Sequence, residues 1–90
     1  MTRLKNITLY HRPTCPFCIR VRLFLAQNNI HVEEKNVSVD YEAQTTLIQE
    51  GGKRQVPAIS IQDNDGNTSW LYESGDIIQY LKNEQRKQAA

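Results

Sequence analysis

Four short stretches of the chain either alternate apolar and polar residues or are rich in strand-forming residues, which predicts β-strands. They span residues 7–10, 30–39, 58–61 and 69–72. The charged run Glu33-Glu34-Lys35 weakens the second stretch, so we expect this strand at an edge of the sheet. The last two stretches flank a turn at Asp65-Gly66 and therefore predict an antiparallel hairpin.

Three other segments carry apolar residues at helical spacing. The first begins at Pro16, because a proline suits the first turn of a helix, and ends near residues 28–29. Its predicted inward face consists of Phe17, Val21, Phe24 and Leu25. Asp40 is a suitable N-cap for a half-exposed helix over residues 41–50, which two glycines end. Ser74 is a suitable cap for the last helix, whose polar end, residues 82–90, is expected to fray.

The order of these elements, βαβαββα, predicts the fold class. A crossover helix between the first two strands makes them a parallel pair, and the hairpin adds two antiparallel strands. The predicted fold is α/β and thioredoxin-like, a four-stranded mixed sheet with helices on both faces. Ninety residues without repeats or linker-like stretches predict a single domain over residues 1–90.

The charges of the chain are nearly balanced, with 11 Lys and Arg against 10 Asp and Glu, a formal net charge of +1. The basic residues are scattered and form no footprint for nucleic acid. Residues 1–12 lack the apolar run of an export signal, and no apolar run approaches the length that spans a bilayer. We therefore expect a cytoplasmic protein that binds neither nucleic acid nor membranes, and we expect it to be a monomer.

The motif Cys15-Pro16-Phe17-Cys18 lies where the first predicted strand turns into the first predicted helix. Unpaired N–H groups and partial positive charge at a helix start stabilise a thiolate, the nucleophilic form of cysteine. Cys15 precedes the helix and is the predicted nucleophile, with His11 and Arg12 adding positive charge nearby. Cys18 lies in the first turn, is expected to be more buried, and is the predicted resolving thiol. A bond between residues three apart removes little entropy from the unfolded chain, so the pair indicates redox chemistry rather than a structural link.

Two other interpretations of the cysteines stay open at this point. A CxxC motif is half of many zinc sites, and His11 and His31 are conceivable further ligands. A second CxxC is absent, however, and His31 lies at the start of a predicted strand. Alternatively, both thiols are buried and inert.

A second motif, Gln55-Val56-Pro57-Ala58, comes just before the third predicted strand. Composition alone favours a trans Val56–Pro57 bond, because only about 5% of X-Pro bonds in folded proteins are cis. A cis bond would instead present the Val56 backbone to an extended ligand, in the manner of strand addition.

These motifs, taken together, resemble the glutaredoxin family over nearly the whole chain. The resemblance rests on the strand, CPFC motif and helix, on Gly51-Gly52-Lys53-Arg54-Gln55-Val56-Pro57-Ala58, and on Glu73-Ser74-Gly75-Asp76-Ile77. It implies that Cys15 is the nucleophile, that Cys18 resolves, that Pro57 is cis and that glutathione is the reductant, with no metal expected. The implied glutathione-binding residues are Arg12, Phe17, Val56, Pro57, Glu73 and Ser74.

Two positions depart from the usual glutaredoxin pattern. Gln55 stands where the family usually has threonine, and Tyr72-Glu73-Ser74 replaces the segment that grips the γ-glutamyl end of glutathione. The latter resembles the Glu-Ser motif in the N-terminal domain of glutathione transferases, so glutathione is expected on either resemblance. Without a resemblance, Glu73-Ser74 is equally consistent with a plain helix cap. Trp70 and Tyr72 are expected in the core or on the sheet face rather than at the ligand.

The predicted function is glutathione-dependent thiol–disulfide exchange on disulfide-containing or glutathionylated proteins, with Cys15 and Cys18 as the catalytic pair. One alternative is a glutathione-binding module of the transferase N-domain type, although the helical domain of such enzymes would need roughly 100 further residues. Another alternative is an iron–sulfur cluster carrier. Pro16 and the presence of Cys18 weigh against that alternative.

Overall fold

The structure, a computed structural model, describes residues 2–89 as four strands and three helices. The strands are β1 (Thr2–His11), β2 (Ile30–Asn36), β3 (Ala58–Gln62) and β4 (Thr68–Leu71). The helices are α1 (Pro16–Gln27), α2 (Tyr41–Gln49) and α3 (Ser74–Ala89). Their order confirms the predicted βαβαββα arrangement. Within residues 2–89, no helix combines the length and apolar character needed to cross a membrane.

The four strands form one mixed sheet in the order β2-β1-β3-β4. The strands β1 and β2 are parallel and joined through α1, whereas β3 pairs antiparallel with both β1 and β4. The predicted edge position of β2 is confirmed. Because β1 is hydrogen bonded on both sides, it is the central strand on which the two halves of the sheet meet.

Side chains of β1 and β3 alternate between the two faces of the sheet, and each face packs against helices. Leu9 and Ile59 lie on one face, in a buried cluster with residues of α1 and α3. Tyr10 and Ala58 lie on the opposite face, in a second cluster with Leu47 of α2. The predicted thioredoxin-like sheet with helices on both faces is therefore confirmed.

The first strand is longer than predicted, beginning at Thr2 rather than at residue 7. The pairing of β1 with β2 extends to its start, with a register shift between Arg3 and Thr8. Because of that irregularity, Leu4 and Ile7 both face the core although they are three residues apart. The prediction from strand-forming residues covered only residues 7–10, and a bulged strand does not keep the period of two that would have extended it.

The second strand is shorter than predicted, since residues 37–39 form a turn. The Asn36 side chain accepts a hydrogen bond from the Ser38 N–H at 2.9 Å, and the Val37 N–H donates to the His11 carbonyl oxygen at 3.0 Å. These bonds take the chain away from the sheet toward α2. Asp40 caps α2 as predicted, with its carboxylate accepting from the Ala43 N–H at 3.0 Å.

The last helix differs from the prediction at both ends. It continues to Ala89 instead of fraying from residue 82, and Ala90 lies outside the described residues. The Gln85 side chain donates to the Asn28 carbonyl oxygen at 2.9 Å, which ties this polar end to the end of α1. Ser74 is the first helical residue rather than the cap, because the Glu73 carbonyl oxygen already accepts a helical hydrogen bond at 2.8 Å.

Gly51, just after α2, is a position where a larger residue does not fit. A Cβ there would lie 2.6 Å from the Leu47 carbonyl oxygen and 2.6 Å from the Tyr72 hydroxyl, which donates to the Gly51 carbonyl. We expect Gly51→Ala to lower the free energy of unfolding by about 1–3 kcal/mol in urea denaturation, as other overpacked sites do. Gly75→Ala is the matched control, since its Cβ would meet nothing within 4 Å at the start of α3. Equal stability of the two variants would contradict this account.

Candidate functional site

Cys15 is the N-cap residue of α1, with an extended backbone (φ −81°, ψ 119°). Its Sγ accepts a hydrogen bond from the Cys18 N–H at 3.3 Å, and its carbonyl oxygen accepts from the Ile19 N–H at 2.9 Å. The Cys15 N–H donates to the Arg12 carbonyl oxygen at 3.2 Å, which closes the turn that leads into the cap. The Cys15 sulfur therefore lies at the positive end of the helix, with a backbone N–H group as its hydrogen-bond donor.

The two cysteines are free thiols with different surroundings. Cys18 is completely buried, whereas Cys15 is only half-buried. Burial, together with the adjacent Cys15 sulfur, raises the pKa of the Cys18 thiol to about 12. A hydrogen bond from the Arg12 backbone and the Arg12 charge act in the opposite direction on the same thiol. At neutral pH Cys18 is thus a protonated thiol, and Cys15 is the accessible sulfur of the pair.

A groove of about 150 Å³ lies beside the cysteines, between the start of α1, the loop before β3 and the start of α3. We call it the 17/56/73 groove; it is lined by Phe17, Gln55, Val56, Pro57, Tyr72, Glu73 and Ser74. The Val56 carbonyl oxygen connects it to the cysteines, because the Cys15 thiol lies 3.9 Å away and donates to it. Residues far apart in sequence thus form one wall next to the sulfur.

The Val56–Pro57 bond is cis, so the expectation of a trans bond from composition is wrong. The intrinsic preference of X-Pro bonds for trans is only about 0.5–1 kcal/mol, which tertiary packing readily outweighs. Pro57 is buried at the entry to β3, next to the core residue Ala58. The resemblance to glutaredoxins implied the cis form that the structure has.

Five of the six residues implied to bind glutathione line this one groove, and the sixth, Arg12, does not. Arg12 is half-buried beside the cysteines, and its Nε is buried without a hydrogen-bond partner among residues 2–89. A buried guanidinium nitrogen without a partner has lost its water without gaining a protein acceptor, which is an unfavourable arrangement for the protein by itself.

The structure adds two residues to the groove that sequence reasoning did not place there. Tyr72 was expected in the core or on the sheet face, and it does stack on Trp70 with ring centroids 6.4 Å apart, yet it also lines the groove. Gln55, noted only as a departure from the family pattern, donates from Nε2 to the Glu73 carboxylate at 3.4 Å. Its position directly before Val56 and Pro57 was the available signal in the sequence.

His11 does not supply the positive charge that was expected from it. The residue is 6% exposed, and its Nδ1 has no hydrogen-bond partner within the described chain. Burial lowers the pKa of His11, and the Arg22 guanidinium lowers it further, with Glu34 opposing. The imidazole is therefore neutral at pH 7. The sequence position near the cysteines could not reveal this, because the burial of a side chain depends on residues that are distant in the sequence.

The cysteines have no further metal ligands beside them. Across residues 2–89, no three His, Cys, Asp or Glu side chains lie close enough together to hold a metal ion. His31, one of the two conceivable zinc ligands, is exposed on the edge strand β2. The zinc interpretation of the CxxC motif therefore lacks a ligand set in the described part of the protein.

Comparisons with known proteins agree with this architecture. The family model of the glutathione S-transferase N-terminal domain matches residues 9–88. Glutaredoxin 1 of Rickettsia felis is 34% identical over 62 residues, which cover 67% of this chain and 61% of that protein. The match thus spans about three fifths of the length of this curated relative.

Solved structures show the same fold. The crystal structure of a thioredoxin-like protein superposes with a TM-score of 0.65 at 31% identity, covering 83% of this chain and 97% of that one. A maleylacetoacetate isomerase from Anaeromyxobacter dehalogenans, with glutathione bound in its active site, superposes with a TM-score of 0.65 at 25% identity. That superposition covers 88% of this chain and 37% of the isomerase. The chain belongs to the glutathione S-transferase N-terminal domain family, as a glutaredoxin-like protein with a thioredoxin-like fold.

The buried, neutral His11 predicts how stability depends on pH. Because its pKa is lower in the folded state, unfolding takes up a proton once the pH falls below about 6.5, the usual value for histidine. This contribution to stability is complete above that pH and is lost as the pH falls through the folded-state pKa. We expect the urea concentration at the unfolding midpoint to decrease as the pH is lowered from 7.5 to 5.5. The variant His11→Leu should show a smaller decrease. His31→Leu, at the exposed histidine, should keep the wild-type slope; the reverse pattern would show that His11 is not the group responsible.

Proposed function

We propose that this protein is a glutathione-dependent thiol–disulfide oxidoreductase that reduces protein disulfides and protein–glutathione mixed disulfides. The observation that carries the proposal is the accessible Cys15 sulfur at the start of α1, held 3.3 Å from the Cys18 N–H and 3.9 Å from the Val56 carbonyl oxygen. The similarity to a glutaredoxin and to a family of glutathione-binding domains supports the same activity. We propose the cytoplasm as its compartment, since thiols are kept reduced there.

For a protein–glutathione disulfide, the Cys15 thiolate attacks the glutathione sulfur. A bond forms between Cys15 Sγ and that sulfur, the original disulfide breaks, and the protein sulfur leaves as a thiolate that takes a proton from water. A second glutathione thiolate then attacks the glutathione sulfur on Cys15. This step releases the Cys15 thiolate and produces oxidised glutathione, one half of which comes from the substrate, so one free glutathione is consumed for each protein thiol that is released.

For a protein disulfide, Cys18 performs the second step. Its thiolate attacks Cys15 Sγ in the mixed disulfide, forms the Cys15–Cys18 bond and releases the second protein thiolate. Burial and the neighbouring Cys15 sulfur both raise the pKa of Cys18 in the reduced protein. Once Cys15 is part of a mixed disulfide it carries no charge, so the second of these causes disappears. Cys18 therefore gives up its proton more readily at the step that requires its thiolate.

The 17/56/73 groove is the proposed glutathione site. The backbone of Val56 is not part of any described strand, and its carbonyl oxygen faces Cys15, so it is available to an extended cysteinyl segment.

Ser74 begins the 16-residue helix α3, and free N–H groups at such a start attract the γ-glutamyl carboxylate. The Glu73 carboxylate has the charge to bind the γ-glutamyl ammonium, and Phe17 has the exposed ring to cover the ligand. Arg12, half-buried beside the cysteines with its Nε unpaired within residues 2–89, is the proposed partner of the glycyl carboxylate.

A second candidate function is glutathione binding without catalysis, as a module of the transferase N-domain type. The match of the family model to residues 9–88 favours it. Glutathione binding with no disulfide turnover by the wild-type protein would distinguish this candidate from the oxidoreductase.

The roles of the two cysteines predict different effects of their removal. Cys15→Ser should leave less than about 1% of the glutathione-dependent reduction of a small mixed disulfide, measured with glutathione reductase and NADPH, since no thiolate remains at the helix start. Cys18→Ser should stay within about threefold of wild type in that assay and lose the reduction of protein disulfides, which need the internal resolving thiol. Equal losses in both assays for Cys18→Ser would refute the division of roles.

The proposed ion pair between Glu73 and the γ-glutamyl ammonium predicts that loss of this charge weakens glutathione binding. We expect Glu73→Gln to raise the KM for glutathione by about tenfold, the size of effect expected from losing one charged hydrogen bond, with kcat nearly unchanged. Asp65→Asn, the same substitution in the turn between β3 and β4, is the control and should change neither constant. An unchanged KM for Glu73→Gln would place the γ-glutamyl end of glutathione elsewhere.

A further inference from the structure

Helix α1 exposes a row of apolar side chains that begins at the nucleophile. Ile19 is 43% exposed and Leu23 is 55% exposed. They follow Cys15 at the fourth and eighth positions, so the three residues lie along one side of the helix. With a rise of 1.5 Å per residue, this row extends about 12 Å from the sulfur.

The row forms one wall of a second groove, of about 410 Å³, between α1 and α3. We call it the α1/α3 groove. Pro16, Ile19, Leu23 and Phe24 line it from α1, and Ile78 lines it from α3. Its walls are thus mainly apolar, and one of its lining residues, Pro16, belongs to the CPFC motif.

Among the described residues, the charged side chains at this groove are basic. Arg20 lines it and forms no ion pair with any residue of the described chain, whereas the nearby Arg22 is paired with Glu34 at 2.8 Å. The Lys82 ammonium lies 6.0 Å from the ring of Phe24, at the same wall. None of the described residues that line the groove is acidic. A matching ligand therefore combines apolar side chains with a carboxylate.

The two grooves lie on either side of the CPFC motif. Phe17 lines the 17/56/73 groove, and its neighbour Pro16 lines the α1/α3 groove. On α3, Ser74 lines the first and Ile78, about one turn later, lines the second. A disulfide at Cys15 with its glutathione half in the first groove therefore directs its other half toward the second.

We propose that the α1/α3 groove binds the polypeptide half of glutathionylated protein substrates, and that it selects segments with apolar residues and a carboxylate next to the modified cysteine. This inference rests on the proposed oxidoreductase function and adds the substrate class to it. Cys15 attacks the glutathione sulfur, the polypeptide sulfur leaves as a thiolate and is protonated by water, and a second glutathione restores the Cys15 thiolate as oxidised glutathione forms. The groove acts before and during the first step by holding the leaving polypeptide near the sulfur.

The test uses synthetic peptides, each with one glutathionylated cysteine. The first peptide carries two leucines at helical spacing and two glutamates, the second has lysines in place of the glutamates, and the third has serines in place of the leucines. The measured quantity is kcat/KM in the assay coupled to glutathione reductase, with the mixed disulfide of cysteine and glutathione as the small reference substrate. We expect wild type to favour the first peptide over each of the others by about tenfold, the ratio that a few apolar contacts or one charge pair supply.

Three variants connect this preference to the groove. Leu23→Glu should lower kcat/KM for the first peptide about tenfold and leave the small substrate unchanged. Arg20→Glu should reverse the preference between the glutamate and lysine peptides. Tyr41→Glu, at a side chain that is 80% exposed on α2, is the matched control. It should change neither the kcat/KM for the first peptide nor the kcat/KM for the small substrate.

Two results would overturn the inference while the proposed function stands. The first is equal turnover of the three peptides by an active wild type. The second is a wild-type dimer in sedimentation that Leu23→Glu dissociates without any change in peptide preference, since the groove would then hold a second copy of the chain. No turnover of the small substrate by wild type would instead overturn the oxidoreductase function, and with it the substrate class inferred here.

Discussion

The central strand β1 is the constraint on which the site depends. It is hydrogen bonded to β2 on one side and to β3 on the other, and its residues pack against helices on both faces. Its end at His11 leads through a single turn into the cap of α1. The start of β3, which follows Pro57, pairs with the same end of β1, through Ala58 and Tyr10. The cysteine cap and the Val56–Pro57 loop therefore meet because one strand positions both.

Burial gives the two thiols of the motif their different chemistry. Cys18 faces the core from the first turn of α1 and loses its access to water, while Cys15 lies outside the turn and keeps a helix N–H as a hydrogen-bond donor. The same mechanism affects His11, which burial keeps neutral although it lies close to the cysteines in the sequence. Electrostatics at this site therefore comes from the helix start and from Arg12, and not from the histidine.

Two grooves of different character lie near the cysteine pair. The 17/56/73 groove combines open backbone with the Glu73 carboxylate and the start of α3, which suits a small peptide with both charges. The α1/α3 groove is apolar and cationic, which suits a larger acidic polypeptide. Both grooves include a residue of the CPFC motif, since Pro16 lines one and Phe17 lines the other.

The sequence by itself determined the local features of this protein. The spacing of Cys15 and Cys18, the proline between them and the strand-to-helix transition predicted that Cys15 lies just before a helix and Cys18 in its first turn, because a helix start depends mainly on neighbouring residues. The order of strands and helices likewise predicted the fold, since a crossover between parallel strands leaves few alternative topologies. Five of the six residues that the resemblance to a family implied for glutathione binding line one groove.

Only the tertiary structure decided the features that depend on distant residues. The cis state of Val56–Pro57, the neutral His11, the position of Tyr72 in the groove and the full length of α3 each depend on contacts with residues far along the chain. The Cys15 sulfur meets the carbonyl of a residue 41 positions away, and Gln85 holds the end of a helix 57 positions before it. Periodicity and composition describe residues that are close in sequence. They therefore do not show which distant residues pack together and bury one another.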